Sequence, residues 1–139
     1  MSRFTSWFAP RTVARAHCDV PCGIYDPAGA LLGAKTVARM VEIIGGLPVE
    51  DGTVAERNKF TRCVLVKEQH AELVKRDIAV IWSDYFKPEH VEKHPQIHEL
   101  TWSILKLAGK NKQSVDAEAA AQLIAKVEEF AAIFWETKK

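Results

Sequence analysis

The chain has 139 residues, 47% hydrophobic and 27% charged, which is the size and mix of one globular domain with enough apolar material for a core. Its 19 Lys and Arg against 18 Asp and Glu, a formal charge of +1, offer no basic stripe for nucleic acid, and no apolar run is long enough for a membrane span. Three cysteines are too few, and odd in number, for a secreted disulfide framework.

Residues 1–16 carry Arg3, Arg11, Arg15 and Pro10, with no acidic residue and no helical or strand period. They lack the apolar stretch of about 7–15 residues that an export signal needs. The segment ends in Ala14-Arg15-Ala16, small residues of the kind found at cleavage sites. Two readings stand: a frayed terminus, or a leader, residues 1–16, removed by a dedicated protease. Its loss would take three positive charges away and leave residues 17–139 mildly acidic.

From residue 27 onward the pattern is helical. Asp26-Pro27 is a helix start, an N-cap acceptor followed by proline at the first helical position. Leu31, Ala34, Ala38 and Val41 then mark one face, and Gly45-Gly46-Leu47-Pro48 stops it. Thr53-Val54-Ala55-Glu56 is a capping box for a second helix. Phe60, Val64, Ala71, Val74, Ile78, Ile81 and Tyr85 keep the period to about Phe86, a helix about 50 Å long. Lys87-Pro88 ends it. A third helix is expected from near Pro95, with Ile97, Leu100, Ile104 and Leu107 inward. A polar turn from Lys110 to Ser114 leads to the last, with Ala120, Leu123, Val127, Phe130 and Phe134 on its apolar face. Four amphipathic helices with short connections predict an all-α protein, an antiparallel four-helix bundle. Cys63 reads as core, and Trp82, Trp102 and Trp135 as core or subunit contacts. His90, His94 and His98 recur every four residues, but Pro95 interrupts the face they would share.

The chemistry-bearing residues are concentrated before the first helix, in His17-Cys18-Asp19-Val20-Pro21-Cys22-Gly23-Ile24-Tyr25. Pro21 and Gly23 keep this segment from being a helix turn, so two thiols can converge in a small loop. Thiolates are soft donors, and divalent nickel and copper bind such sites strongly. Two thiolates and two nitrogens would suit a square-planar ion. The C-x-x-x-C spacing alone is equally compatible with loop thiols or a local disulfide. A structural zinc site would need a second pair of ligands, which the sequence lacks.

The longer string H-C-D-V-P-C-G-I-Y-D-P-A resembles the nickel hook of the nickel superoxide dismutase family. Trp82-Ser83-Asp84-Tyr85-Phe86-Lys87-Pro88 is similar to a second family signature, and Phe134-Trp135-Glu136-Thr137-Lys138 to its C-terminus. The resemblance covers nearly all of residues 17–139 and extends to a short leader before the hook. It implies that cleavage after Ala16 frees the α-amine of His17 to bind nickel. The amide nitrogen of Cys18 and the thiolates of Cys18 and Cys22 would complete the plane, with the His17 imidazole as axial ligand of the oxidised metal. Tyr25 would stand beside the metal and limit access, Tyr85 would hydrogen-bond near it, and Lys87 would attract the superoxide anion. Asp19 would tie the hook to its surroundings, and Pro21 would take the cis form.

Two positions depart from the family pattern. The hook imidazole is often held by a Glu in the first helix and an Arg in the second. Here those positions are Gly33 and His70, the latter within Lys67-Glu68-Gln69-His70. Partners of this kind orient metal-binding imidazoles, so the departures bear on the rate more than on the fold. The resemblance further implies a homohexamer working in the cytoplasm. The expected function is nickel-dependent dismutation of superoxide to O2 and hydrogen peroxide by Ni(II)/Ni(III) cycling after leader removal. The alternatives are a nickel or copper carrier that uses the same hook without catalysis, and a noncatalytic bundle whose leader is never removed.

Overall fold

The computed structural model describes residues 23–139. Four long helices run in chain order: α1 (Ala28–Gly45), α2 (Val54–Val80), α4 (Ile97–Gln113) and α5 (Ala117–Thr137). A short helix, α3 (Pro88–Lys93), lies in the connection between α2 and α4. Neighbours in chain order pack on one another, and α5 closes the ring against α1. This is the expected four-helix bundle. Most of its core is what the periodicity selects: Ala34 of α1, Val74 and Ile78 of α2, Leu100 and Ile104 of α4, Leu123, Val127 and Phe130 of α5. Val37 joins them without having been expected, whereas the expected Ala38, Phe60 and Val64 are only partly buried.

The starts of the helices follow local chemistry. Asp26 Oδ1 accepts from the Ala28 N–H at 2.8 Å, and the first helical bond runs from Leu31 N–H to the Pro27 carbonyl. At α2 the capping box is closed in both directions: Thr53 Oγ1 accepts from Glu56 N–H at 3.3 Å, and Glu56 Oε2 accepts from Thr53 N–H at 2.7 Å. The hydrogen bonds from Thr53 hold the Glu56 carboxyl below its ordinary range. Asp116 caps α5 by accepting from Ala119 N–H at 3.0 Å.

Three boundaries differ from the sequence reading. The regular α2 helix stops at Val80, and Ile81–Tyr85 form a π-helical turn instead of continuing to Phe86 in α geometry. Such single turns change the angular step between side chains and recur at functional sites. The helix expected near Pro95 begins at Ile97, because Pro88 first opens α3. The expected polar turn from Lys110 is helical as far as Gln113.

That last extension has a tertiary cause. The last carbonyls of a helix lack partners within it. Lys67, 2% exposed on α2, donates through Nζ to the carbonyls of Asn111, Lys112 and Ser114. Asn111 itself donates to the carbonyls of Leu107 and Ala119. A polar stretch that reads as a turn is thus carried on as helix by a lysine 44 residues away. Burial pushes the Lys67 ammonium below its usual value, against a smaller opposing effect of Glu68.

Cys63 is buried, as expected. The tryptophans are not core: Trp102 is 62% exposed and Trp135 45%, and Trp82 is also exposed. Each is only partly covered from within the chain: Trp82 meets His98, Lys106 lies over the Trp102 ring and Lys138 over that of Trp135.

Candidate functional site

The hook ligands read from the sequence, His17, Cys18 and Cys22, lie outside the described residues, as do Asp19 and Pro21. The described chain begins immediately after them. Gly23 has φ +68°, a left-handed backbone that glycine alone adopts without strain. Two residues later the chain dives into the bundle at Tyr25, 6% exposed.

Tyr25 meets Tyr85 there, ring centroids 5.7 Å apart and tilted by 55°. The π-helical turn delivers Tyr85 to this place at the end of α2. Its ring is boxed on other sides by Phe134 at 4.5 Å, by Phe86 at 5.2 Å and by the imidazole of His90, which stacks at 5.5 Å and 23°. Such aromatic pairs each add about 0.5–1.5 kcal/mol beyond the area they bury, so the Tyr85 ring has little freedom to turn.

The tyrosines are also held by polar bonds from the end of α5. The Tyr85 hydroxyl lies 3.0 Å from Thr137 Oγ1, which in turn donates to the Phe134 carbonyl at 2.8 Å. Lys138 Nζ donates to the Tyr25 carbonyl at 2.9 Å and lies over the rings of Phe134 and Trp135, 5.0 and 5.4 Å from their centroids.

Lys87 is exposed at the extended joint between the π-helical turn and α3. Its backbone N–H donates to His90 Nδ1 at 3.2 Å, which leaves the ring proton of His90 on Nε2. His90 therefore joins two of the expected site residues: it fixes the backbone of Lys87 and covers one face of Tyr85. The structure thus brings together Tyr25, Tyr85 and the Lys87 backbone. Sequence reasoning missed the roles of His90, Thr137 and Lys138. For the last two the only signal was the C-terminal string Phe134-Trp135-Glu136-Thr137-Lys138.

His90, His94 and His98 do not share a metal face. His94 caps the end of α3 with Nε2 3.6 Å from Glu136 Oε2, and His98 Nδ1 accepts from the Trp82 indole at 2.9 Å. Among the described residues no three His, Cys, Asp or Glu side chains are grouped to hold a metal ion. The two thiols and the imidazole of residues 17–22 are a donor set that fits nickel.

The two departures have a packing explanation. Gly33 is buried where α1 crosses α2. A Cβ there would lie 2.9 Å from Val74 Cγ2 and 3.3 Å from the His70 carbonyl oxygen. The helices approach too closely at this point for a glutamate. His70, half-buried, places Nδ1 2.8 Å from the Val66 carbonyl, so its imidazole donates to its own helix. The positions that carry a charged pair in much of the family are here a glycine contact and a histidine bonded to its own backbone.

A family model described as nickel-containing superoxide dismutase matches residues 12–138. The chain is 41% identical over 132 residues to "Superoxide dismutase [Ni]" of Streptomyces coelicolor (strain ATCC BAA-471 / A3(2) / M145), with 95% of each chain covered. It is 39% identical to the protein of the same name from Streptomyces seoulensis, again with 95% of each covered. The solved native nickel superoxide dismutase structure at 1.30 Å superposes with a TM-score of 0.79 at 41% identity, covering 88% of this chain and 100% of the solved one. A further solved relative, 38% identical with a TM-score of 0.78, covers 88% of this chain and 98% of its own; its nickel ligation corresponds to the oxidised state. With the hook string, the paired tyrosines and this extent of likeness, the chain belongs to the nickel-containing superoxide dismutase family.

Proposed function

We infer that the chain is a nickel-dependent superoxide dismutase: two superoxide anions and two protons become O2 and hydrogen peroxide. One observation carries the reading most: Tyr25, three residues after Cys22, packs against Tyr85 from the second signature, so the two motifs form one site. The residues that would hold nickel are His17, through its α-amine and imidazole, Cys18, through its amide nitrogen and thiolate, and Cys22, through its thiolate. Nickel, when bound, supplies one-electron chemistry between Ni(II) and Ni(III), and anionic sulfur and amide donors favour the higher state.

The other residues act around that centre. Lys87 places a positive charge at an exposed joint beside the tyrosines and draws the anion toward it. Tyr25 and Tyr85 narrow the approach to small molecules. Thiols must lose protons to bind the metal, so loading weakens as pH falls.

Residues 1–16 act as a leader. Before cleavage after Ala16 the His17 nitrogen is an amide and cannot serve as an amine ligand. The working form is proposed to be a cytoplasmic homohexamer, with the exposed faces around Trp102 and Trp135 covered by neighbouring subunits.

The test compares superoxide consumption by nickel-loaded protein beginning at His17 with protein retaining residues 1–16. Activity in the trimmed form alone supports both the amine ligand and the precursor role. Nickel bound by the trimmed form without consumption of superoxide would favour a carrier.

A further inference from the structure

We propose that the C-terminal turn, Thr137 and Lys138, is a positioning device for the proposed dismutase site: Lys138 anchors the chain at Tyr25, just after the proposed ligands, and Thr137 takes up the Tyr85 hydroxyl proton and leaves that hydroxyl a hydrogen-bond acceptor. The inference rests on the dismutase reading above and adds residues and a polarity to it.

The anchor is a single long-range bond. Lys138 Nζ donates to the carbonyl of Tyr25, 113 residues away in sequence. Tyr25 is the first buried residue in the described chain. Its main chain is thereby tied to the far end of α5, and the Phe134 and Trp135 rings beneath the ammonium hold the lysine in place. Before Tyr25 the chain passes through Ile24, 74% exposed, and Gly23. Ile24 and Gly23 add little packing, so the carbonyl bond joins the buried Tyr25 ring in fastening the backbone at the hook's exit.

The polarity follows from counting protons. A threonine hydroxyl has one proton. That of Thr137 is spent on the Phe134 carbonyl, three residues earlier, at 2.8 Å. The 3.0 Å bond between the Thr137 and Tyr85 hydroxyls must then be donated by Tyr85. A phenol that has spent its proton can only accept elsewhere. Superoxide is an anion that only accepts, so Tyr85 offers it no hydrogen bond while this relay holds. Hydrogen peroxide and water, which donate, can bond to the remaining lone pairs. Thr137 thus makes Tyr85 select on donor character and keeps it from holding an anion in place.

The experiment uses protein beginning at His17 with Thr137→Val, Thr137→Ser, Lys138→Met and Lys138→Arg, each checked for unchanged helix content. Azide, an acceptor-only anion, is the probe of polarity. Thr137→Val frees the Tyr85 proton, and azide inhibition of the nickel-loaded enzyme tightens about tenfold, the size of one hydrogen bond to a charged group; Thr137→Ser behaves as the parent. Hydrogen exchange of residues 23–27, measured on metal-free protein, probes the anchor. Lys138→Met raises the exchange rate severalfold, and Lys138→Arg restores it. Unchanged azide inhibition in Thr137→Val, or unchanged exchange in Lys138→Met, overturns the corresponding half of the proposal. A parent protein that binds nickel but consumes no superoxide overturns the dismutase reading instead, while the exchange measurement still decides the anchor.

Discussion

At the scale of single residues, His90 joins two functions that can be separated. Its Nδ1 accepts from the Lys87 N–H, and its ring covers Tyr85. His90→Gln keeps an acceptor three residues into α3 and loses the stack; His90→Phe keeps the stack and loses the acceptor. In steady-state assays both are expected to lower superoxide turnover by severalfold, and His90→Ala by more than either. Equal activity of all three with the parent would remove His90 from the site. Lys67 is a second case. Its three bonds go to carbonyls at the end of α4, and Lys67→Met leaves those acceptors buried and unpaired. The expected loss is about 1–3 kcal/mol, read from urea denaturation. Neither role was legible in the sequence, because a histidine in a short polar helix and a lysine on a long one ordinarily face water. Lys67 finds its partners only when a segment more than 40 residues away packs against it, and His90 meets Tyr85 only because the chain bends between them at Phe86 and Lys87.

At the scale of elements, the start of α2 was legible in full. Thr53 and Glu56 are local to each other, and local hydrogen bonds need no tertiary help. The lowered range of the Glu56 carboxyl has a sign. A carboxylate whose folded pKa lies below its unfolded value of about 4 stabilises the fold above that value, and this contribution is lost as pH falls through the folded pKa. Asp116, lowered by Lys110 and by the Ala119 N–H, acts in the same direction. Stability should therefore decline with acid below about pH 4, and Thr53→Ala should flatten part of that decline while costing about 1 kcal/mol at neutral pH. The α1–α2 crossing was not legible. Gly33 looked like a missing glutamate, whereas in the bundle it is a close contact between the two helices, with Val74 and the His70 backbone against it. Gly33→Ala improves helix propensity by about 0.5–1 kcal/mol yet crowds a well-packed contact at a typical cost of about 1–3 kcal/mol. Thermal unfolding should show a net loss; a gain would mean that the helices can separate without penalty.

At the scale of the whole molecule, the surface carries what one chain does not satisfy. Trp102 is 62% exposed and Trp135 45%, and exposed apolar surface of this kind can be covered by a partner. If they lie between subunits of the proposed hexamer, Trp102→Glu or Trp135→Glu should yield smaller assemblies by light scattering with helix content unchanged. Intact mass of the protein from cells should show loss of residues 1–16 if they serve as a leader.

The sequence by itself determined the helices, their inward faces and the hook string, because periodicity, caps and short motifs are written in residues close together along the chain. It also carried the family, since those motifs are long enough to be specific. The tertiary structure decided the rest. It brought Tyr25 and Tyr85 to one point, gave Thr137 and Lys138 their partners, extended α4 through Lys67 and gave Gly33 its packing role. Each of these depends on contact between segments far apart in the chain, and no local pattern records which distant carbonyl, ring or backbone a side chain will meet once the bundle closes.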